Sequence, residues 1–389
     1  MLFKNIKIYG ENGIFEHGFI RVDGESIAEV GECMNFPDDD EVLPLPENCF
    51  AIPGFIDVHI HGAGGADVMD ASPDALTTMA ECLPAEGTTG FLATTMTQKT
   101  EAIEKALRNA ASWRQESRSG QAEMLGVHLE GPFLAPEKAG AQPREYLAKP
   151  NVDQFRTWQK AAEGSIRLVT MAPELDEKFR LLSKLTSEGI VVSIGHSGAT
   201  YAKTAEAVKA GANHITHLYN GMTGLHHREP GVVGAALLFD ELKAELIVDG
   251  IHVCPEMVRL TFRQKGPEGV VLITDSIRAK GMGDGRFELG GRMVSVENGE
   301  ARLEGGSLAG SVLRMIDGVR NMVKYAGCTV GDVIQMASAN PAKQLGVYDR
   351  KGSLAAGKDA DLVILDEHFE IVMTLCKGRV AYRREGWNA

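Results

Sequence analysis

The sequence has no surplus of basic residues. Against 40 Lys and Arg stand 53 Asp and Glu, a formal charge of -13. Nucleic-acid binders draw most of their affinity from Lys and Arg on phosphates, so that class is disfavoured, and an anionic ligand would need a local basic patch. Paired cysteines are missing too. Cys33, Cys49, Cys82, Cys254, Cys328 and Cys376 lie far apart, with no CxxC pair and no dense spacing of a disulfide scaffold, and read as reduced thiols of a cytoplasmic protein. No stretch is long and apolar enough to span a bilayer, and residues 1–9 lack the charged start, apolar run and cleavage site of a secretion signal. The expected partners therefore include neither nucleic acid nor membrane.

A chain of 389 residues has room for one large α/β barrel with a small appended domain, or for two medium domains. Short strands punctuated by Gly, Asp and Pro occupy both ends, at 3–9, 19–22 and 26–30 and again at 360–365, 370–375 and 379–382. The two ends, residues 1–52 and 355–389, are expected to form one small β-sandwich. Between them, over 53–354, apolar strands alternate with amphipathic helices such as 73–86, 100–114 and 201–210. The strands fall at 51–60, 89–94, 124–129, 166–170, 190–194, 213–217, 244–248 and 270–274. Eight such units predict an α/β fold with a closed (β/α)8 TIM-like barrel.

Polar groups collect at the ends of these strands. His59 and His61 end the first, Glu130 the third, His196 the fifth, His217 the sixth and Asp275 the eighth. Residues two apart on a strand share a face, so His59 and His61 converge, and the C-terminal strand ends of a barrel open on one pocket. Alone, the His-x-His pair could fill the barrel interior, and Asp275 could cap the next helix. All six together point to a metal centre. Imidazole and carboxylate ligands without cysteine suit Zn²⁺, and also Fe²⁺, Mn²⁺ or Co²⁺. His128 and His214 are expected to turn away from Glu130 and His217, toward the helical shell or a place behind the ligands.

Seven segments carry a resemblance: 53–62 (PGFIDVHIHG), 128–132 (HLEGP), 195–197 (GHS), 216–220 (THLYN), 228–231 (REPG), 249–252 (DGIH) and 307–311 (SLAGS). Over nearly its whole length the chain resembles the N-acetylglucosamine-6-phosphate deacetylases of the amidohydrolase superfamily. The resemblance implies hydrolysis of the acetamide of N-acetylglucosamine 6-phosphate, in amino-sugar catabolism and recycling. It implies a principal metal on Glu130, His196 and His217, with Asp275 as the catalytic carboxylate. His59 and His61 supply ligands for a second ion bridged by Glu130, so one or two ions per subunit. The fourth strand offers no bridging lysine, which weighs against a dihydroorotase or hydantoinase.

For the substrate, the resemblance assigns phosphate contacts to Arg228 and His252, and sugar or backbone contacts to Asn220, Gly221, Asp249 and the turn of Leu308, Ala309 and Gly310. Ala141 and Gln142 join this set, Gln142 standing where relatives carry a histidine that polarises the substrate carbonyl. Arg228 is implied to reach across a homodimer interface, and His226, His227 and Arg228 form a compact basic cluster of the kind a phosphate dianion needs. Two other readings remain: a deacetylase of N-acetylgalactosamine 6-phosphate, and an inactive barrel used for binding.

Overall fold

The computed structural model describes residues 1–32, 42–116 and 118–386. Eight strands run parallel in sequence order: Phe55–Ile60, Thr88–Thr95, Glu123–Glu130, Ile166–Met171, Val191–Ile194, His214–Ile215, Lys243–Ile247 and Val270–Ile273. A parallel bridge between Ile60 and Ser276 and the bond from Asp275 N to His59 O (2.8 Å) bring the last strand back to the first and close the barrel. Helices cover its outside, so the strands are buried on both faces and read as apolar runs; every residue of Thr88–Thr95 is buried.

Some of the helices begin where the sequence offers a cap. Ser72 accepts from Ala75 N and Thr200 from Lys203 N, opening Pro73–Cys82 and Tyr201–Lys209. Thr100–Arg114 buries Ile103, Ala106, Leu107, Ala110, Ala111 and Trp113 along one stripe. The helix predicted over 73–86 ends at Cys82, and Leu83–Glu86 tightens to a 3-10 turn because Pro84 cannot donate to the ladder.

The strand predicted over 51–60 is two strands. Phe50–Pro53 pairs with the terminal segments, and Phe55–Ile60 opens the barrel. They part at Gly54, where a Cβ would sit 2.1 Å from Thr89 Oγ1. Both chain ends meet in one seven-stranded sheet of order Arg379–Arg383, Ile371–Cys376, Leu362–Leu365, Phe50–Pro53, Leu2–Gly10, Gly13–Asp23, Ser26–Glu32. Bonds from Ile27 N to Lys358 O and from Ala360 N to Glu25 O, both 2.8 Å, fold this sheet over a core that includes Phe3, Ile8, Ile20, Ile27, Leu362 and Val372.

An ion cluster joins this sheet to the closed end of the barrel. Arg350 donates to both oxygens of Glu123 (2.8 and 2.9 Å) and to Asp359 (2.6 Å), while Lys351 meets Glu123 at 2.9 Å and bonds to Asp361. Burial alone would raise the Glu123 carboxyl, but the Arg350 bond and the charges of Lys351, Arg350 and Lys377 hold it at about 2, below its ordinary 4.5. The stability this lends is complete above pH 4.5 and is lost as pH falls through about 2. Glu123→Gln is expected to cost roughly 3 kcal/mol at neutral pH. Urea denaturation at a series of pH values should show the gap to wild type narrowing on acidification; a gap independent of pH would contradict this.

A three-stranded antiparallel sheet, Gly285–Leu289, Arg292–Glu297 and Glu300–Leu303, follows the eighth barrel strand and was not anticipated. Its Leu289, Val294 and Val296 pack with Ile277 and Ala309 beside the mouth of the barrel. Gly290-Gly291 and Asn298-Gly299 make its turns, a hairpin signature present in the sequence. Among the described residues Cys49, Cys82, Cys254, Cys328 and Cys376 are free thiols; Cys33 lies outside them. No helix of the described residues is long and apolar enough to cross a membrane.

Candidate active site

The strand ends turn sharply inward. His196, His217 and Asp275 all have left-handed backbone, with φ of 47°, 28° and 49°. That conformation costs energy for non-glycine residues and persists where the surroundings enforce it, commonly at functional sites. It also explains why the sixth strand stops at Ile215 and the eighth at Ile273, short of their predicted ends. At the fifth strand the turn needs Gly195, since a Cβ there would lie 2.5 Å from Thr216 Cβ.

The turns bring six side chains to one place. Glu130 Oε1 lies 3.2 Å from His196 Nε2, 3.3 Å from His217 Nε2 and 3.5 Å from His59 Nε2. His61 Nε2 lies 3.3 Å from Glu130 Oε2, and Asp275 Oδ1 sits 3.4 Å from both His59 Nε2 and His61 Nε2. Two adjoining groups thus have metal-binding geometry, Glu130 with His196 and His217, and His59 with His61 and Asp275; His59 also stands within ligand range of His128 and Glu245.

The hydrogen bonds on the far side of the rings test whether a cation fits. His196 Nδ1 contacts Lys138 O at 2.8 Å and His217 Nδ1 contacts Asn220 O at 3.2 Å. A carbonyl only accepts, so each Nδ1 carries the hydrogen, and Nε2 is the nitrogen each ring turns inward, free to take a cation. Those two Nε2 atoms are 3.1 Å apart and share Glu130. One cation satisfies all three ligands at once. His59 Nε2 is likewise buried with no hydrogen-bond partner. A divalent ion at each group therefore agrees with the donor set.

The local field points the same way. Burial would lower both rings, but Asp275, Glu245 and Glu130 push His59 well above the imidazole range, and Asp275 and Glu130 push His61 up to about 10. Burial would raise Glu130, yet His59, His196 and His217 hold it well below the carboxylate range. Asp275 is lowered too, against its burial, by His59 and His61. A site that draws protons this strongly also favours a metal cation.

Above these groups lies a cavity of about 150 Å³. Of the predicted residues it gathers His61, Glu130, Ala141, Gln142, His196, His217, Asn220, Gly221, His252, Asp275, Leu308 and Gly310, with Met96, Gly140 and Leu289 as unpredicted neighbours. His59 lies beneath, fully buried, and Ala309 is buried in the core of the three-stranded sheet. Asp249 stands behind the wall, its Oδ2 2.6 Å from His252 Nδ1. Arg228 is outside the cavity, exposed on its loop with Nη1 2.7 Å from His227 Nε2.

His128 and His214 do not turn toward the helical shell; both take the other expected place, behind the ligands. His128 is two residues from Glu130 and so faces the barrel interior with it, ring against His59 (4.5 Å between centroids) and Nε2 2.7 Å from Thr170 Oγ1. Burial first, then the His59 charge, push it well below the imidazole range, which keeps it neutral. His214 also points inward, to Glu245 Oε1 at 3.1 Å. Glu245 itself was missed, although an acid in the apolar run Ala244-Glu245-Leu246 was a visible signal.

The amidohydrolase family model matches residues 50–381. The chain belongs to the amidohydrolase family. Members of this family are metal-dependent, in keeping with the two ligand groups, although the donor set does not select one ion. An N-acetylglucosamine-6-phosphate deacetylase from Bacillus subtilis (strain 168) is 46% identical over 384 residues, covering 98% of this chain and 97% of that protein. An N-acetylgalactosamine-6-phosphate deacetylase from Escherichia coli O157:H7 is 40% identical over 329 residues, 85% of this chain and 87% of that protein. A mutant N-acetyl-D-glucosamine-6-phosphate deacetylase from Mycobacterium smegmatis, solved with N-acetyl-D-glucosamine-6-phosphate, superposes with a TM-score of 0.91 at 31% identity, over 98% of this chain and 99% of that one. The barrel with a small β domain made by both ends is the architecture these amidohydrolases share.

Proposed function

We propose that this amidohydrolase removes the acetyl group from N-acetylglucosamine 6-phosphate, giving glucosamine 6-phosphate and acetate in amino-sugar catabolism. The observation that carries the reading is the convergence of Glu130, His196, His217 and Asp275 at the floor of a cavity whose wall holds His252, Asn220 and Leu308. Glu130, His196 and His217 would hold the principal ion, and His59 and His61, beside Glu130, would hold a second. Such an ion, Zn²⁺ or a similar divalent metal, supplies Lewis acidity, making water easier to ionise near neutral pH and an acyl carbon easier to attack.

The chain's own groups do the proton work. Asp275 takes the proton of the attacking water on its carboxylate and returns it to the sugar nitrogen as the C–N bond breaks, because an amine anion is too poor a leaving group to depart unaided. Gln142 is locked for a donor role. Thr97 N donates to its Oε1 (2.8 Å), which leaves the Nε2 hydrogens facing Glu130 Oε2 (2.6 Å) and the cavity, where one can meet the acetyl oxygen.

The phosphate falls to His252 and Arg228. Burial would lower His252, but the bond and charge of Asp249 raise it, so the ring bears positive charge more readily while its Nε2 stays free to donate. Arg228, exposed on its own subunit, reaches the site of a partner copy in a homodimer. Asn220, Gly221 and the turn at Leu308, Ala309 and Gly310 line the sugar subsite. A cytoplasmic place of action agrees with the wide spacing of the six cysteines in the sequence.

Comparing kcat/KM for N-acetylglucosamine 6-phosphate, the unphosphorylated sugar and N-acetylgalactosamine 6-phosphate tests the assignment. The first should be strongly preferred; preference for the galacto isomer would favour the activity of the E. coli relative. Arg228→Ala should raise KM for the phosphorylated sugar roughly 10- to 100-fold with little change in kcat. An equal loss on the unphosphorylated sugar would remove Arg228 from phosphate binding.

A further inference from the structure

We infer that Glu245, in the seventh barrel strand, is a positioning residue that sets the tautomer and aim of His59 and thereby governs how tightly the second ion, at His59 and His61, is held. The inference rests on the proposed reading of those residues as metal ligands. Glu245 is fully buried. Its Oε2 accepts from His59 Nδ1 at 2.9 Å and from His217 N at 3.0 Å, and its Oε1 faces His214 Nε2 at 3.1 Å. An ionised carboxylate only accepts, so three N–H donors are committed to it and His59 is held with the hydrogen on Nδ1.

The consequence lies on the other side of the ring. With Nδ1–H committed to Glu245, Nε2 is the nitrogen left to take a cation, placed between Glu130 Oε1 (3.5 Å) and Asp275 Oδ1 (3.4 Å) with no hydrogen bond of its own. In the opposite tautomer Nε2–H would donate to one of those carboxylates, sealing the position against a cation. Glu245 therefore selects the metal-ready form of His59 over a self-satisfied one. The same oxygen that receives His59 also receives the backbone of His217, so one carboxylate braces ligands from both groups. His214 completes the brace by fixing the other carboxylate oxygen.

Metal binding itself tests this. The full chain, stripped with chelator and checked for fold by circular dichroism, is titrated with Co²⁺, followed by its visible absorption, and with Zn²⁺ in chelator competition. Glu245→Gln keeps the side-chain volume but offers one oxygen to three donors and points its amide hydrogens at the others. It should weaken the more loosely held ion roughly 10- to 100-fold, the usual effect of losing a partner behind a metal ligand. His214→Gln, which leaves the bonds to His59 and His217 in place, should weaken it less. Should Glu245→Gln not fold, Glu245→Asp, one methylene shorter at the same charge, is expected to weaken the same ion. A folded Glu245 variant whose Co²⁺ and Zn²⁺ titrations match wild type would overturn the inference, even if its Tm had dropped. No uptake by the wild-type chain would overturn the ligand reading beneath it as well.

Discussion

Asp275→Asn is expected to fold, to keep its principal ion, and to lose roughly 10²- to 10⁴-fold in kcat, the range that positioned acid–base groups contribute. The fold should survive for two reasons. Asn tolerates the left-handed backbone that Asp275 adopts (φ 49°), and the residue is anchored by its main chain, through Asp275 N to His59 O and Ser311 N to Asp275 O, both 2.8 Å. The first ligand group, Glu130 with His196 and His217, does not include it. What Asn cannot do is accept a proton and return it. KM should change little, because Asp275 acts on the bond being broken. Near-normal kcat in a folded, metal-loaded Asp275→Asn variant would remove the residue from its role.

His196→Asn should fail earlier, at metal uptake. It too preserves the left-handed turn (φ 47°), so a fold defect is not the expected cause. Loss of the ring leaves Glu130 and His217 as two ligands where three had converged, and opens the space facing Lys138 O. The principal ion should fall to a small fraction of wild-type occupancy, and activity should drop by at least three orders of magnitude, roughly the advantage a Lewis acid gives an amide hydrolysis. Elemental analysis of the dialysed protein beside kcat separates the two effects; full metal content with lost activity would assign His196 to another task.

The barrel was legible because its strands are buried on both faces and several of its helices carry caps, both strong local signals. The six site groups were legible because a barrel places strand ends together whatever their distance in sequence. Other features depended on contacts that local patterns do not encode. Phe50–Pro53 reads as one strand with Phe55–Ile60 until Gly54 is seen to pack against Thr89. The inward aim of His128 follows from its two-residue spacing to Glu130 on one strand. His214 differs, since the left-handed turn at His217 breaks the alternation beyond Ile215. Glu245 could be noticed as an acid in an apolar strand, but its grip on His59, His214 and His217 spans three strands. Arg228 is exposed in a single copy, so its place in a phosphate site depends on the proposed partner subunit.

The most direct test of the account is acetate release from N-acetylglucosamine 6-phosphate by the purified chain, measured as isolated, after removal of metal by chelator, and after return of Zn²⁺. Turnover that disappears on stripping and returns with the metal is the predicted result. Turnover that survives complete metal removal, or a fully metal-loaded chain that releases no acetate, would contradict it.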